Sequence, residues 1–453
     1  MKFEVLIIGG GPAAITISKT LGPQKKVGVI RPEEHSMIYC AMPYVIEKIL
    51  SLEKTYKKDA LVTDAGATLI RDIVTGVDLG NKKVQTAGGK TYEYDKLVIA
   101  TGATPLLPGV EGNNLPGVMT FKTSGDLSRI LNATQNGLRK AVVVGAGAIG
   151  IELTQAFSKI GVETHLVDME EHILPNMMDK EMTEEAEDQL RAAGTHIHLG
   201  NRVISLTGGK NVEEVVLSNS NRIHFNSTGD PNMAERADGL HGIVVFAVGM
   251  NPNVELFKNT ALKIGTEGII VNEKMETNIE DVYAVGDCVQ FKSGITNEIV
   301  SGKLATNAVP MGRVLAKNIL GGKRVYKGFF NGTATKIENV FVGSTGLTEK
   351  SAVGKYDILV GYSELTTIFP IMPEAKKVRI KLIGDRKEGK IIGGQVISGM
   401  PVTDKVDLIT MAIQYGLTIE ELAGLSYSAQ PYQSFFPANN LIVAAAEDML
   451  MKI

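Results

Sequence analysis

Cysteine is nearly absent from this 453-residue chain: there are two, Cys40 and Cys288. Two cysteines exclude a disulfide framework beyond one bridge, an iron–sulfur centre and a four-cysteine zinc site. Tryptophan is missing altogether. The seven histidines show no metal-ligand spacing along the chain, so no metal is expected. Neither charge sign dominates, with 47 basic against 50 acidic residues and a net charge of −3. That balance gives no general attraction to nucleic acid or to an anionic membrane. Long apolar runs are lacking too. The first, Val5 to Ile8, breaks at Gly9, too early for a leader or a membrane span. The expectation is a cytoplasmic protein in a reducing compartment. Its length suits about three domains.

Glycine is abundant, at 49 residues, and two clusters of it are ordered. The apolar stretch Phe3 to Ile8 reads as a buried parallel strand. Gly9-Gly10-Gly11-Pro12-Ala13-Ala14 follows, then a helix from Pro12 to Leu21 that stops at Gly22-Pro23, then a strand from Lys26 to Ile30. The same order returns later. Ala141 to Val144 is a strand and Gly145-Ala-Gly-Ala-Ile-Gly150 a turn. Ile151 to Ile160 is a helix, and Thr164 to Val167 the next strand. In Gly9-x-Gly11-x-x-Ala14 and Gly145-x-Gly147-x-x-Gly150 the first glycine permits a tight turn. The second lets backbone approach a pyrophosphate, and the third small residue allows close helix–strand packing. Asp168 ends the strand 23 residues after Gly145. A carboxylate there suits ribose hydroxyls and repels a 2′-phosphate, which favours NADH over NADPH.

The last part of the chain has another pattern. Between Lys376 and Gly384, Val378, Ile380 and Leu382 alternate with Lys377, Arg379 and Lys381. With a turn over 385–389 and a return strand from Lys390 to Ser398, this predicts an antiparallel hairpin with the apolar residues on one face and the basic ones on the other. A capping box, Thr418-Ile-Glu-Glu421, starts a helix. The fold expected is α/β: two doubly wound dinucleotide-binding domains plus a C-terminal α+β domain.

Two further stretches complete an ordered set: Tyr94-Asp-Lys-Leu-Val-Ile-Ala-Thr-Gly-Ala103, and Thr277 to Gly286-Asp287 with apolar Val282 to Val285 before the Gly-Asp. With both glycine turns, they make the whole chain resemble the FAD- and NAD-dependent pyridine nucleotide-disulfide oxidoreductases. The resemblance implies FAD and NADH as cofactors. It implies an FAD domain over 1–112 and 252–325, an NAD domain over 113–251 and a dimerisation domain over 326–453, in a homodimer or dimer of dimers. It implies that Gly9, Gly11, Ala14, Thr101, Gly102, Gly286 and Asp287 meet FAD, together with a helix beginning near Ala305-Thr306. Gly145, Gly147, Gly150, Glu152, Asp168 and Gly249 would meet NADH. The family has a glutamate at the end of its second strand for the FAD ribose. This chain has Ile30 or Arg31 there, with Glu33 or Glu34 as substitutes.

Cys40 stands in Ser36-Met-Ile-Tyr-Cys-Ala-Met-Pro-Tyr44 without a second cysteine nearby. This stretch resembles the family's single-cysteine branch. That branch holds coenzyme A disulfide reductases, NADH oxidases and peroxidases, and persulfide or polysulfide reductases. The resemblance makes Cys40 the catalytic thiol, with Ser36, Tyr44, Phe369 and Tyr432 beside the substrate. A helix from Ala41 to Leu50 is expected to present its N-terminus to the sulfur. Cys288 reads as a packed core residue. Pro12 replaces the histidine of the oxidase and peroxidase members. Gly22 and Pro23 replace two arginines that grip coenzyme A, leaving Lys19, Lys25 and Lys26 as alternatives. The expected substrate is a small-molecule persulfide or polysulfide, with coenzyme A as one candidate carrier. Coenzyme A disulfide, peroxide or oxygen, and a protein electron carrier are the alternatives.

Overall fold

The structure is a computed structural model and describes residues 1–225 and 241–453. The chain forms two compact units. One comprises Met1–Val45, Leu50–Leu106 and Gly249–Phe329; the other comprises Ile46–Ile49, Leu107–Val248 and Phe330–Ile453. Among the described residues no helix is long and apolar enough to cross a membrane.

The first unit is built on a seven-stranded sheet. The strand Lys2–Ile8 lies at its centre. It pairs in parallel with Val27–Arg31 on one side and Thr91–Ile99 on the other, so the chain leaves in opposite directions around its C-terminal end. A crevice at such a switch point is where open α/β sheets bind ligands. Thr68–Arg71 and Val282–Ala284 extend the parallel part. Lys83–Thr86 and Val74–Asp78 add an antiparallel edge. The helices Pro12–Leu21 and Ala305–Ile319 pack against each other. Gly312 makes that contact possible, because a Cβ there would lie 3.0 Å from the Ala13 carbonyl oxygen.

The second unit repeats the plan. Its five-stranded parallel sheet has Lys140–Val144 between Glu163–Val167 and Gly242–Phe246. A three-stranded antiparallel sheet, Val203–Gly208, Val212–Leu217 and Arg222–His224, shares a core with it through Val142, Val167, Val215 and Phe246. The helix after the second glycine turn runs Ala148–Lys159, starting one turn earlier than the sequence suggested. Gly150 therefore lies inside it, where a Cβ would fall 1.8 Å from the Gly145 carbonyl oxygen.

The C-terminal part of this unit is a five-stranded antiparallel sheet. Its order is Thr333–Ile337, Val340–Gly346, Lys390–Ser398, Lys377–Asp385, Ile358–Thr366. The hairpin pairs as expected, and the Thr418–Glu421 capping box is present. Lys381, on the basic face, is fully buried. Its ammonium meets the carboxylates of Asp179 and Glu349 at 2.8 Å, and that of Glu181. The alternation is real, but segments 179–181 and 349 cover the basic face at Lys381, while Lys377 on the same face stays exposed. A buried cation with its partners removed, or the reverse, costs ~3–5 kcal/mol. Lys381→Met should lower unfolding free energy by that order in a urea titration. Lys390→Met, at an exposed pair with Glu388, should cost under ~1 kcal/mol. Equal, small losses would show that the buried network is not what joins these segments.

Candidate functional site

The two glycine turns are built alike. Gly9 donates to the Ile30 carbonyl at 2.8 Å, and Gly145 to the Val167 carbonyl at 2.8 Å. Both adopt positive φ, 114° and 110°. A Cβ at Gly9 would lie 2.0 Å from the Ala100 oxygen, and one at Gly145 2.5 Å from the Ala247 oxygen. Neither position tolerates a side chain. At Gly11 and Gly147, by contrast, a Cβ would meet nothing within 4 Å. These two residues are the helix N-caps, and neither offers a side chain to the first-turn N–H groups. Open space and uncapped amides at a helix start form a cradle for a phosphate. The residues present therefore fit a dinucleotide at each turn. Ala305–Ile319 also starts without a side-chain cap, at Leu304.

Around the second turn, Asp168 accepts hydrogen bonds from the N–H groups of Ala146 and Glu170, the latter at 2.8 Å. Its carboxylate is thus fixed at the mouth of the turn. Glu152, four residues into the next helix, accepts from the Thr335 hydroxyl at 2.9 Å. Burial pushes its carboxyl up to about 7; the Thr335 hydrogen bond opposes this and the charge of Glu47 adds to it. Gln155, one turn on, ties the same helix to the Lys336 carbonyl and the Glu338 N–H. Sequence reading missed Thr335 and Glu47, which lie far from Glu152 along the chain and carry no local motif.

Around the first turn, Thr101 does not offer its hydroxyl freely. It donates to the Asn253 carbonyl at 2.6 Å, and Asn253 returns a bond to the Thr101 carbonyl at 2.9 Å. The pair locks Ala103–Pro105 to Met250–Pro252. Gly102 has φ 72°, and Gly249 116°. Gly286 and Asp287 form a short 3-10 turn with Cys288. Arg31, not a carboxylate, ends the second strand, and it is 2% exposed. It pairs with Asp59 and donates to the Glu34 carbonyl at 3.1 Å; Arg71 shares both partners. The Glu34 side chain itself is exposed. Glu33 and Glu34 follow in the turn after the strand, both exposed.

Cys40 is exposed, and Cys288 is buried. Cys40 lies in a 3-10 turn, Tyr39–Ala41, ahead of a five-residue helix, Met42–Ile46. The expected helix to Leu50 is cut short: Lys48 takes a positive φ of 63°, which ends regular helix. Ser36 pairs in register with Lys57 in a two-stranded ladder. The Ser36 hydroxyl is buried without a hydrogen-bond partner, a cost that a bound acceptor or donor would remove. Burial pushes the Lys57 ammonium below the usual lysine range. The charge of Cys40 opposes that shift and Lys19 adds to it, so Lys57 stands within electrostatic reach of the sulfur. Of the other lysines considered, Lys25 is paired with Glu4 at 2.9 Å. In the C-terminal domain Phe369 packs edge-on against Phe436 at 5.2 Å, and Tyr432 is 62% exposed. Phe436 was not anticipated from sequence.

Comparison with known proteins decides the family. Residues 3–312 match the pyridine nucleotide-disulphide oxidoreductase family and residues 334–436 its dimerisation domain. The chain belongs to the pyridine nucleotide-disulphide oxidoreductases. As a member it is an oxidoreductase that uses FAD and NAD(H). It is 33% identical to an NADH oxidase of Methanocaldococcus jannaschii, over 99% of each chain. It is 31% identical to an NAD(P)H coenzyme A polysulfide/persulfide reductase of Pyrococcus horikoshii, over 93% of each. Among solved structures it resembles an NAD-dependent persulfide reductase from A. fulgidus. The TM-score is 0.91 at 28% identity, covering all of this chain and 83% of that one.

Two measurements test the site. Burial pushes the Cys288 thiol up to about 11, and its Sγ lies 3.4 Å from the Val285 carbonyl, so it stays a neutral thiol at neutral pH. Iodoacetamide should alkylate one thiol per native chain of the apoprotein, and none after Cys40→Ser. Labelling of Cys288 in the folded protein would contradict this. For Glu152, the folded carboxyl holds its proton more tightly than the ordinary value of 4.5. Stability should therefore fall as pH rises from about 4.5 through about 7. Glu152→Gln should melt with wild type near pH 4.5 and above it beyond pH 7, by up to ~3 kcal/mol. Parallel melting profiles would contradict the shift.

Proposed function

We propose that the protein is an NADH-dependent reductase of persulfides or polysulfide carried on a small thiol, with Cys40 as the catalytic sulfur. The observation that carries this reading is a lone exposed thiol whose only possible partner in the chain, Cys288, is buried. The oxidised form of Cys40 must then be a bond to sulfur from outside. The unsatisfied Ser36 hydroxyl and the nearby Lys57 suit a small, anionic thiol. The relatives named as persulfide or polysulfide reductases support the same substrate class.

In this reading Gly9, Gly11 and Ala14, with the amides of the first helix, hold the pyrophosphate of FAD. Thr101 and Gly102 shape the crossing beside it, and Gly286, Asp287 and the Ala305-Thr306 helix start hold its other end. Gly145, Gly147, Gly150 and Asp168 hold NADH, with Glu152 and Gly249 beside it. Bound FAD supplies a two-electron relay between NADH and sulfur. The Cys40 thiolate attacks the outer sulfur of R–S–SH. The S–S bond of the substrate breaks, RS⁻ leaves, and Cys40 carries a persulfide. Two electrons from NADH then cleave that new S–S bond, releasing HS⁻ and restoring the thiolate. With one proton taken up for each anion, NADH, H⁺ and RSSH become NAD⁺, RSH and H₂S. Thiolate attack on sulfur with a thiolate leaving is ordinary exchange chemistry. The protein works as a homodimer through its C-terminal domain. In that dimer the active site is built from two subunits: Tyr44 lies near Cys40 in its own chain, and Phe369 and Tyr432 line the Cys40 of the partner subunit.

A second reading, reduction of oxygen or peroxide, is favoured by the relatives named NADH oxidase. Pro12 weighs against it, because the first turn then lacks a group for proton transfer. The test is an anaerobic and aerobic acceptor panel: coenzyme A persulfide, glutathione persulfide, polysulfide, coenzyme A disulfide, peroxide and oxygen. A persulfide or polysulfide should give the highest kcat/KM, and Cys40→Ser should lose at least ~10³-fold with it. Full activity of Cys40→Ser would point to a reductase of a protein electron carrier. A large preference for peroxide would establish the second reading.

A further inference from the structure

Strand register aligns the two nucleotide turns residue by residue. Gly9 donates to the carbonyl of Ile30, and Gly145 to that of Val167. Ile8 lies beside Ile30 in the first sheet, as Val144 lies beside Val167 in the second. The residue that follows is Arg31 in the first case and Asp168 in the second. Both side chains reach back over their own turn. Asp168 accepts from the N–H of Ala146, the residue after Gly145. A Cβ on Gly10, the residue after Gly9, would fall 2.3 Å from the Cδ of Arg31. In a dinucleotide fold this strand-end position meets the adenosine ribose. A carboxylate there accepts from the sugar, whereas a guanidinium can only donate.

The rest of the Arg31 side chain is tied into the protein. Its Nη2 donates to the Glu34 carbonyl at 3.1 Å and pairs with Asp59. Arg71, directly opposite Arg31 in a parallel pairing, takes the other oxygen of Asp59. Two guanidinium charges thus share one carboxylate, which leaves the cluster positive. Arg31 is 2% exposed, and its Nε, one bond from the carbon over Gly10, is buried without a hydrogen-bond partner. A buried donor on a charged group is costly to leave unmatched. This one stands at the rim of a cradle whose helix amides also lack a side-chain acceptor.

We propose that Arg31 binds the adenosine ribose of FAD, donating from Nε to the 2′-hydroxyl oxygen, with Asp59 and Arg71 as its positioning pair. The chain then holds the same sugar at two turns with opposite polarity: Asp168 accepts and Arg31 donates. The strand-end arginine is what replaces a ribose-binding carboxylate at the first turn. Sequence alone conceals its partners, because Asp59 and Arg71 lie 28 and 40 positions further on and only folding brings them to the strand end.

Flavin affinity tests this without turnover. Flavin-free protein is titrated with FAD and with the FAD analogue that lacks the adenosine 2′-hydroxyl, and binding is followed by flavin fluorescence. Wild type should bind the analogue ~10-fold or more weakly than FAD. Arg31→Lys keeps a cation for Asp59 but puts a methylene where Nε stands. It should bind FAD ~10-fold or more weakly than wild type and should bind FAD and the analogue alike. Circular dichroism checks that the variant is folded. Equal binding of the two flavins by wild type overturns the proposal, and this arm needs no variant. So does folded Arg31→Lys that still prefers FAD over the analogue as wild type does.

Discussion

Backbone N–H groups at the start of a helix need acceptors, and an N-cap side chain is one common source. The helices Pro12–Leu21 and Ala148–Lys159 have no such side chain. Their N-caps are Gly11 and Gly147, each facing open space, and each sits at the C-terminal end of a central strand. The surroundings keep these ends in place. Gly9 and Gly145 turn so tightly that a carbonyl of the neighbouring segment occupies the space of a Cβ. Asp168 is bonded into the second turn through Ala146, and Arg31 lies over the first, where a Cβ at Gly10 would fall 2.3 Å from its Cδ. Two anion cradles in one chain, from one repeated plan, are the physical basis for a protein that handles two dinucleotides.

The chemistry then depends on which sulfur can move electrons out of the protein. Burial makes Cys288 a neutral core group. Exposure leaves Cys40 available, beside a buried hydroxyl without a partner and a lysine whose charge is costly to keep. With one usable sulfur, an internal disulfide cannot store the oxidised state. In the proposed cycle the sulfur stays attached to Cys40 until electrons arrive.

Much of the fold was legible in sequence because it is locally encoded. Pro12 and Gly22 bound the first helix as read, and both nucleotide turns announce themselves through glycine spacing. The capping box at Thr418 held for the same reason. What escaped depends on contacts distant in sequence. The alternation around Lys381 does not show that it is buried, because its carboxylates come from positions 179, 181 and 349. Thr335 reaches Glu152 across 183 residues, and Arg31 finds Asp59 across 28. The helix after Cys40 was overestimated because nothing in Glu47-Lys48 signals the positive φ that ends it.

Peptide mass spectrometry shows whether the sulfane sulfur passes through Cys40. Oxidised, FAD-loaded enzyme is mixed anaerobically with a small-thiol persulfide, without NADH, and digested under alkylating conditions. The peptide containing Cys40 should gain the mass of one sulfur atom. Adding NADH before quenching should remove it and release a matching amount of sulfide. An unmodified Cys40 peptide, in enzyme that still oxidises NADH with the same persulfide, would contradict the account.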